Sequence, residues 1–406
     1  MIGGNVTGGA GQQSGVIETD GELGAGNMGA VEIAGSLTGG GGPNSGTIFS
    51  SGNLASVTVG SVRAGAGFFS GGIGAVLDAG AIVLNGALLA GAADEAGKIS
   101  VGGNLGTLTI HGDVTGGAGR FDTAGAGAEE LGQISVFGTL GALTIDGSLL
   151  GGGGALSAQA RAGSIETADI GGSVTGGAGA GSGALVATNK DLGTVNIAGS
   201  LNGGSGLRAG LIAAERNIGT INIREINELS AGVTPGRATI SAGGMLNPAT
   251  DALAVAISEI NIASRVTAAD ILAGYDIDGA PVNPDAQIFS VKIGTAATLG
   301  TAVLDRTNIV AGMTGGPDGT FGNGDDAVIS SSASSASIIS KIARVTLNGL
   351  IAGRSPSGTF GIEAQEIIAI SIAGTPLSLK AGPDNDLFFA LGGSSVSVIE
   401  AGALNG

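Results

Sequence analysis

Two short acidic stretches carry residue types that bind hard cations. Asp276-Ile277-Asp278-Gly279 begins like a calcium loop, with carboxylates two residues apart and a glycine to turn the chain. It stops short of a third ligand and a distal glutamate. Gly322-Asn323-Gly324-Asp325-Asp326-Ala327-Val328 fits G-x-G-x-D-x-U, the later part of a calcium-binding nonapeptide repeat. AGPDNDLFF (381–389) is a looser copy, with Asp384 where glycine belongs. Asp276, Asp278, Asp325 and Asp326 are therefore the candidate metal ligands, and Ca2+ is the ion their oxygen donors suit. Adjacent turns are needed to complete such a shell, and these copies are single and distant. The competing expectation is a plain solvated turn, where Asp and Gly serve the backbone.

Other reactive residues are few. His111 is the only histidine and sits in LTIHG. Alternation points it outward, in a column shared with Asn85 and Asp146. One imidazole cannot build a multi-histidine metal centre, and no nucleophile turn lies near it, so no catalytic residue is assigned. GAGNMG (24–29) matches G-x-G-x-x-G, but with 83 glycines in 406 residues chance supplies such matches. No helix follows to hold a pyrophosphate, so no cofactor-binding residue is assigned either.

The elements that must position these residues form an array. LGTLTIHGDVTGGAG (105–119) returns as LGALTIDGSLLGGGG (140–154). The glycine of each G-x-[LV] unit falls at Gly35, Gly60, Gly86, Gly112, Gly147, Gly172 and Gly199, with separations of 25, 26, 26, 35, 25 and 27 residues. The long gap holds GRFDTAGAGAEEL (119–131), an expected insertion. Gly349 and Gly374 resume the series, and a period near 26 marks stacked repeats. Before these glycines stand VEIAG, IVLNG, LTIHG, LTIDG, VNIAG and ISIAG, which alternate apolar and polar residues as strands do. First and third positions should face a core. Second positions (Glu32, Thr109, Thr144, Asn196, Asn222, Asn261, Ser371) should stack outside as a polar ladder.

Glycine at this density disfavours helices, and hairpins do not produce a 26-residue period. The pattern predicts an all-β, single-stranded, right-handed parallel β-helix. Each coil has three short strands with glycine at the corners, and roughly fifteen coils are expected. Residues 1–225 read as regular coils, 226–335 as coils with long acidic Gly/Pro loops, and 336–406 as C-terminal coils.

The net charge of −17 and the absence of a basic stripe exclude nucleic acid as a partner. There are no cysteines, which a repeat array does not need. No apolar run is long enough for a membrane-spanning helix. The opening MIGGNVTGGAG lacks the features of a signal peptide and reads as repeat, so a mature or trimmed chain is expected. A threonine-faced ice binder is disfavoured, because the outward column mixes Thr, Asn, Glu, Asp and Ser.

The runs IGGSVTGGAG, LGTVNIAGSLNGG and FGIEAQEIIAISIAGTPLSLKAGPDND resemble large bacterial secreted or surface "β-strand repeat" proteins, glycine-rich solenoids similar to adhesins and autotransporter passengers. The resemblance implies an extracellular or cell-surface location and a structural or adhesive role without enzymatic chemistry. Polysaccharide and other surface proteins are then the external partners. The apolar start and the strand-like end (387–406) add an expectation of head-to-tail stacking of copies into filaments. The rival expectation is a polysaccharide-acting β-helix enzyme, a lyase or glycosidase, which needs clustered carboxylates or Ca2+ in an aromatic-lined cleft.

Overall fold

The computed structural model describes residues 1–19, 21–22, 24–118, 131–228, 236–332, 334–335, 337–352, 360–389, 394 and 396–401. The fold is nearly all β, with parallel strands stacked as a β-solenoid of about 12 turns and almost no helix. It divides into two compact units. One comprises Met1–Asn189, Val195–Leu211 and Leu229–Gly236; the other comprises Lys190–Thr194, Ile212–Glu228 and Arg237–Gly406.

In the first unit the coils up to Thr115 have the expected three strands, and beyond it two of them run together, as in Ile134–Ile145 and Gln159–Ile170. Ile99–Val101, Leu105–Ile110 and Val114–Thr115 make one coil, and each lies parallel to its equivalent in the coil before. Alternation decides what is buried. Val57, Ile82, Leu108 and Leu143 share one register column and all are fully buried. Each such side chain contributes roughly 1.5–3 kcal/mol by leaving water, and it can do so only with a neighbouring coil in place. The second positions face out as expected: Glu32, Thr58, Val83, Thr109, Thr144 and Asp169 follow one another in register. The extra residues of the long coil are absorbed between Thr115 and Gln133, since Ile99–Val101 and Leu105–Ile110 keep register with 134–136 and 140–145. Of the expected insertion, only Leu131 is among the described residues.

Corners are held by side-chain ladders. Asn27, Asn53, Asp78 and Asn104 each accept, through a side-chain oxygen, a backbone N–H of the next coil at 2.8, 3.1, 2.6 and 2.9 Å. Ser45, Ser70, Ser157 and Ser182 are buried, and each Oγ accepts the N–H of the glycine five residues earlier. The residue after each serine has a positive φ, as at Gly46 (+59°) and Gly183 (+59°), which suits glycine. A second set of glycines has another cause. At Gly40 and Gly65 a Cβ would run into the carbonyl oxygen of the preceding coil, so coil-to-coil approach itself excludes a side chain.

In the second unit the middle strands Ile218–Asn227, Val255–Ile262, Gln287–Ile293, Val345–Leu347 and Ile370–Ile372 stack in order. Their equivalents Asn222, Asn261, Lys292 and Thr346 are spaced more widely than in the first unit, because long loops intervene. That spacing explains why the turns number fewer than the fifteen expected.

Within 387–406, the described strand Val396–Glu400 pairs with both Phe360–Ala364 and Leu387–Phe388. Leu387–Phe388 runs antiparallel on Val396–Glu400, pairing Leu387 with Ile399 and Phe388 with Val398. Thr375–Pro376 covers Ile370–Ile372 in the same way. Glu400 is the clasp: its buried carboxylate accepts N–H groups from Ile367 (2.8 Å), Asn385 (2.8 Å) and Asp386 (3.2 Å). Glu400 thus ties the AGPDND segment, just ahead of Leu387–Phe388, to the sheet, and the antiparallel cover limits pairing with other chains.

Candidate functional site

The outer face of the second unit carries a buried column. In the strands Ala269–Ala273, Asn308–Ala311, Phe360–Ala364 and Val396–Glu400, the residues Leu272, Val310, Glu363 and Ile399 are register partners. By alternation these side chains point away from the core that holds Ile271, Ile309 and Ile362. They are nevertheless buried. The chain following Ala311 folds over them as a small antiparallel hairpin, Met313–Thr314 with Ala327–Val328. Met313, Phe321 and Ile329 complete an apolar cluster with Leu272, Tyr275 and Val310. The Tyr275 hydroxyl donates to the Met313 carbonyl at 2.8 Å.

Glu363 is the acidic group in this column and is fully buried. Asp326, from the covering hairpin, lies against it and is 6% exposed. The Gly322 N–H donates to both carboxyls, and the Asn323 N–H donates to Asp326 Oδ2 at 2.9 Å. Asp326 Oδ1 and Glu363 Oε2 are buried and receive no N–H or O–H from the described residues. The two buried carboxyls lie close together, and keeping one of them protonated relieves the repulsion of like charges. Burial, then the charge of Asp326, pushes the Glu363 carboxyl up to about 9. Burial likewise raises Asp326. Burial also raises the Tyr275 phenol, with smaller contributions from Glu363, Asp270 and Asp326.

The four candidate ligands fall into two neighbourhoods. Asp276 Oδ1 accepts the N–H groups of Asp278 (2.9 Å) and Ala280 (2.8 Å), closing a turn. Beside it lies Glu215, raised by its own burial and then by the charges of Asp276 and Asp278. Glu215 lines a cleft of about 390 Å³ with Arg216, Met245, Leu246 and Val282. In the hairpin, Asn323 Oδ1 accepts the Asp325 N–H at 3.0 Å, and Asp318 Oδ1 accepts the Thr320 N–H at 2.7 Å. Aspartate and asparagine oxygens thus hold backbone in both places. Among the described residues no group of three or more His, Cys, Asp or Glu side chains is arranged to hold a metal ion.

His111 is exposed and its Nδ1 lies 2.7 Å from Asp146 Oδ2, the outward neighbour expected for it. In the GAGNMG stretch, the strand Met28–Glu32 begins within the motif and includes Gly29, so no helix N-terminus is presented there. Sequence reasoning missed Glu363, which sits in FGIEA with the alternation of an outward residue. The available signal was the apolar character of Leu272 and Val310 at equivalent outward positions, which marks a covered face.

No protein-family model matches this chain, and neither a curated protein nor a solved structure matches it. No helix is long and apolar enough to cross a membrane among the described residues.

Proposed function

We propose that the chain is a non-enzymatic structural or adhesive β-solenoid working outside the cell, in a bacterial surface layer, fibre or matrix. The observation that carries this reading is the outward column of the first unit, where Glu32, Thr58, Val83, Thr109, Thr144 and Asp169 recur coil upon coil. The Asn196 amide extends it by donating to Asp169 at 2.7 Å. A surface built this way repeats the same kind of weak contact at a fixed spacing, and repeated weak contacts sum by multivalency. Contacts between copies belong to the same proposal.

The test uses purified full-length protein and a panel of insoluble neutral and acidic polysaccharides, scored for co-sedimentation and for release of reducing ends. Adhesion with intact polysaccharide is the expected result. Catalytic release of reducing ends or unsaturated sugars would replace this reading with the lyase or glycosidase alternative.

A further inference from the structure

Two ladders of the first unit meet in a cleft of about 340 Å³, lined by Gln13, Glu18, Asn44, Thr47, Phe49 and Phe69. Gln13, Asn44 and Phe69 each precede a corner serine and share a left-handed backbone, with φ of 56°, 53° and 48°. Glu18 and Phe49 occupy the outward position of the strands Ile17–Thr19 and Ile48–Ser50, and their register partner in the next coil is Gly74. The glycine leaves space that the rings use. A Cβ at Gly74 would lie 2.9 Å from Phe49 Cδ2 and 3.7 Å from Phe69 Cζ, so both rings border one vacant position. A Cβ at Gly72 would lie 2.8 Å from Phe69 Cε1. Aromatic residues are scarce here, with ten Phe, one Tyr and no Trp in 406 residues. Two of them stand side by side and half-buried in this cleft.

The polar lining is available. Among the described residues, the Gln13 and Asn44 side-chain amides and the Glu18 carboxylate have no side-chain hydrogen bond or ion pair. Amides offer donor and acceptor together, and a carboxylate offers acceptors. Aromatic faces offer apolar area at low conformational cost. A sugar ring presents the complement, with a C–H face for the phenylalanines and neighbouring hydroxyls for amide and carboxylate. Glu18 and a net charge of −17 disfavour uronic or sulfated units.

The geometry points to this cleft as a binding site for an uncharged pyranose unit of a polysaccharide. The inference names a ligand for the adhesive half of the reading above and rests on that reading for its biological setting. The experiment is titration of the full chain with neutral gluco- and galacto-oligosaccharides and with oligogalacturonate, followed by calorimetry and saturation-transfer NMR. A neutral oligosaccharide is expected to bind, with saturation strongest on the C–H protons of one ring face. Phe49→Ala with Phe69→Ala should weaken it by at least about tenfold, the usual consequence of losing aromatic anchors. Gln13→Ala, at an exposed position, should weaken it severalfold with an unchanged melting curve, which keeps the test valid if the double variant folds poorly. Three results overturn the site: no neutral sugar bound, tighter binding of oligogalacturonate, or parent-like affinity in both variants. A chain that binds neutral sugars but fails to adhere to polysaccharide surfaces keeps the site and loses the adhesive reading. One that adheres undiminished without both phenylalanines keeps the adhesive reading and loses the site.

Discussion

Replacing Glu363 by glutamine tests the buried carboxyl pair. In the native protein Glu363 is fully buried and its carboxyl is pushed up to about 9, first by burial and then by Asp326. In the unfolded chain a glutamate titrates near 4.3. Between those values the native state holds a proton that the unfolded state has lost. Its stabilising contribution is therefore complete below the unfolded pKa and is lost as pH rises through the folded one. The slope is about 1.4 kcal/mol per pH unit for one proton, or about 3 kcal/mol between pH 6 and pH 8. Glu363→Gln keeps an acceptor for the Gly322 N–H and supplies a permanent donor to Asp326, so the slope should fall to less than half. Urea titrations at pH 6, 7 and 8 measure this. Tyrosine emission is the local probe, because Tyr275 is the single tyrosine, tryptophan is absent, and Tyr275 packs in the cluster beside the pair. A local probe matters because stacked repeats need not unfold as one cooperative unit. If parent and variant lose stability in parallel over this range, the pair does not hold the proton and the reasoning fails.

Ile110→Asp should cost about 4 kcal/mol or more, because Ile110 is fully buried between Leu84 and Ile145. Thr109→Asp, facing out, should stay within about 1 kcal/mol; equal losses in thermal melts would invert the facing of the strand. Gly40→Ala should cost at least about 2 kcal/mol, since its Cβ meets the Gly9 carbonyl. Gly41→Ala, with open space around its Cβ, should be neutral or gain up to about 1 kcal/mol. Glu400→Ala strands three N–H groups, two of them buried, and should expose the edge of Val396–Glu400, raising light scattering as well as lowering the melting temperature. Scattering and melting that match the parent would show that Glu400 does not hold the cover in place.

What the sequence disclosed depended on repetition. Triplets such as LTI and VNI announce their facing because every coil places them against the same neighbours, so local alternation and tertiary burial agree. The three-strand coil follows from the spacing of the glycines. The hairpin over Leu272, Val310 and Glu363 is used once, so no period reports it. Alternation alone places Glu363 in water, and only the covering chain from Met313 to Ile329 reverses that. AGPDND was visible as a turn, but its anchorage ahead of the antiparallel cover on Val396–Glu400 depends on Glu400 reaching across to Ile367 and Asn385. The roles of the glycines also divided only in three dimensions. Gly46 answers a backbone angle, whereas Gly40 answers the approach of another coil.

The coil that runs from Leu105 to Leu140 is longer than its neighbours, yet its strands pair in the same register as theirs. All the surplus falls in the sequence between Thr115 and Gln133. That interval is a splice point. Chain entering there costs loop closure, which grows only slowly with length, and it disturbs no buried column. Such a fold can change what it displays without renegotiating how it stands, so loop content and coil number can diversify independently.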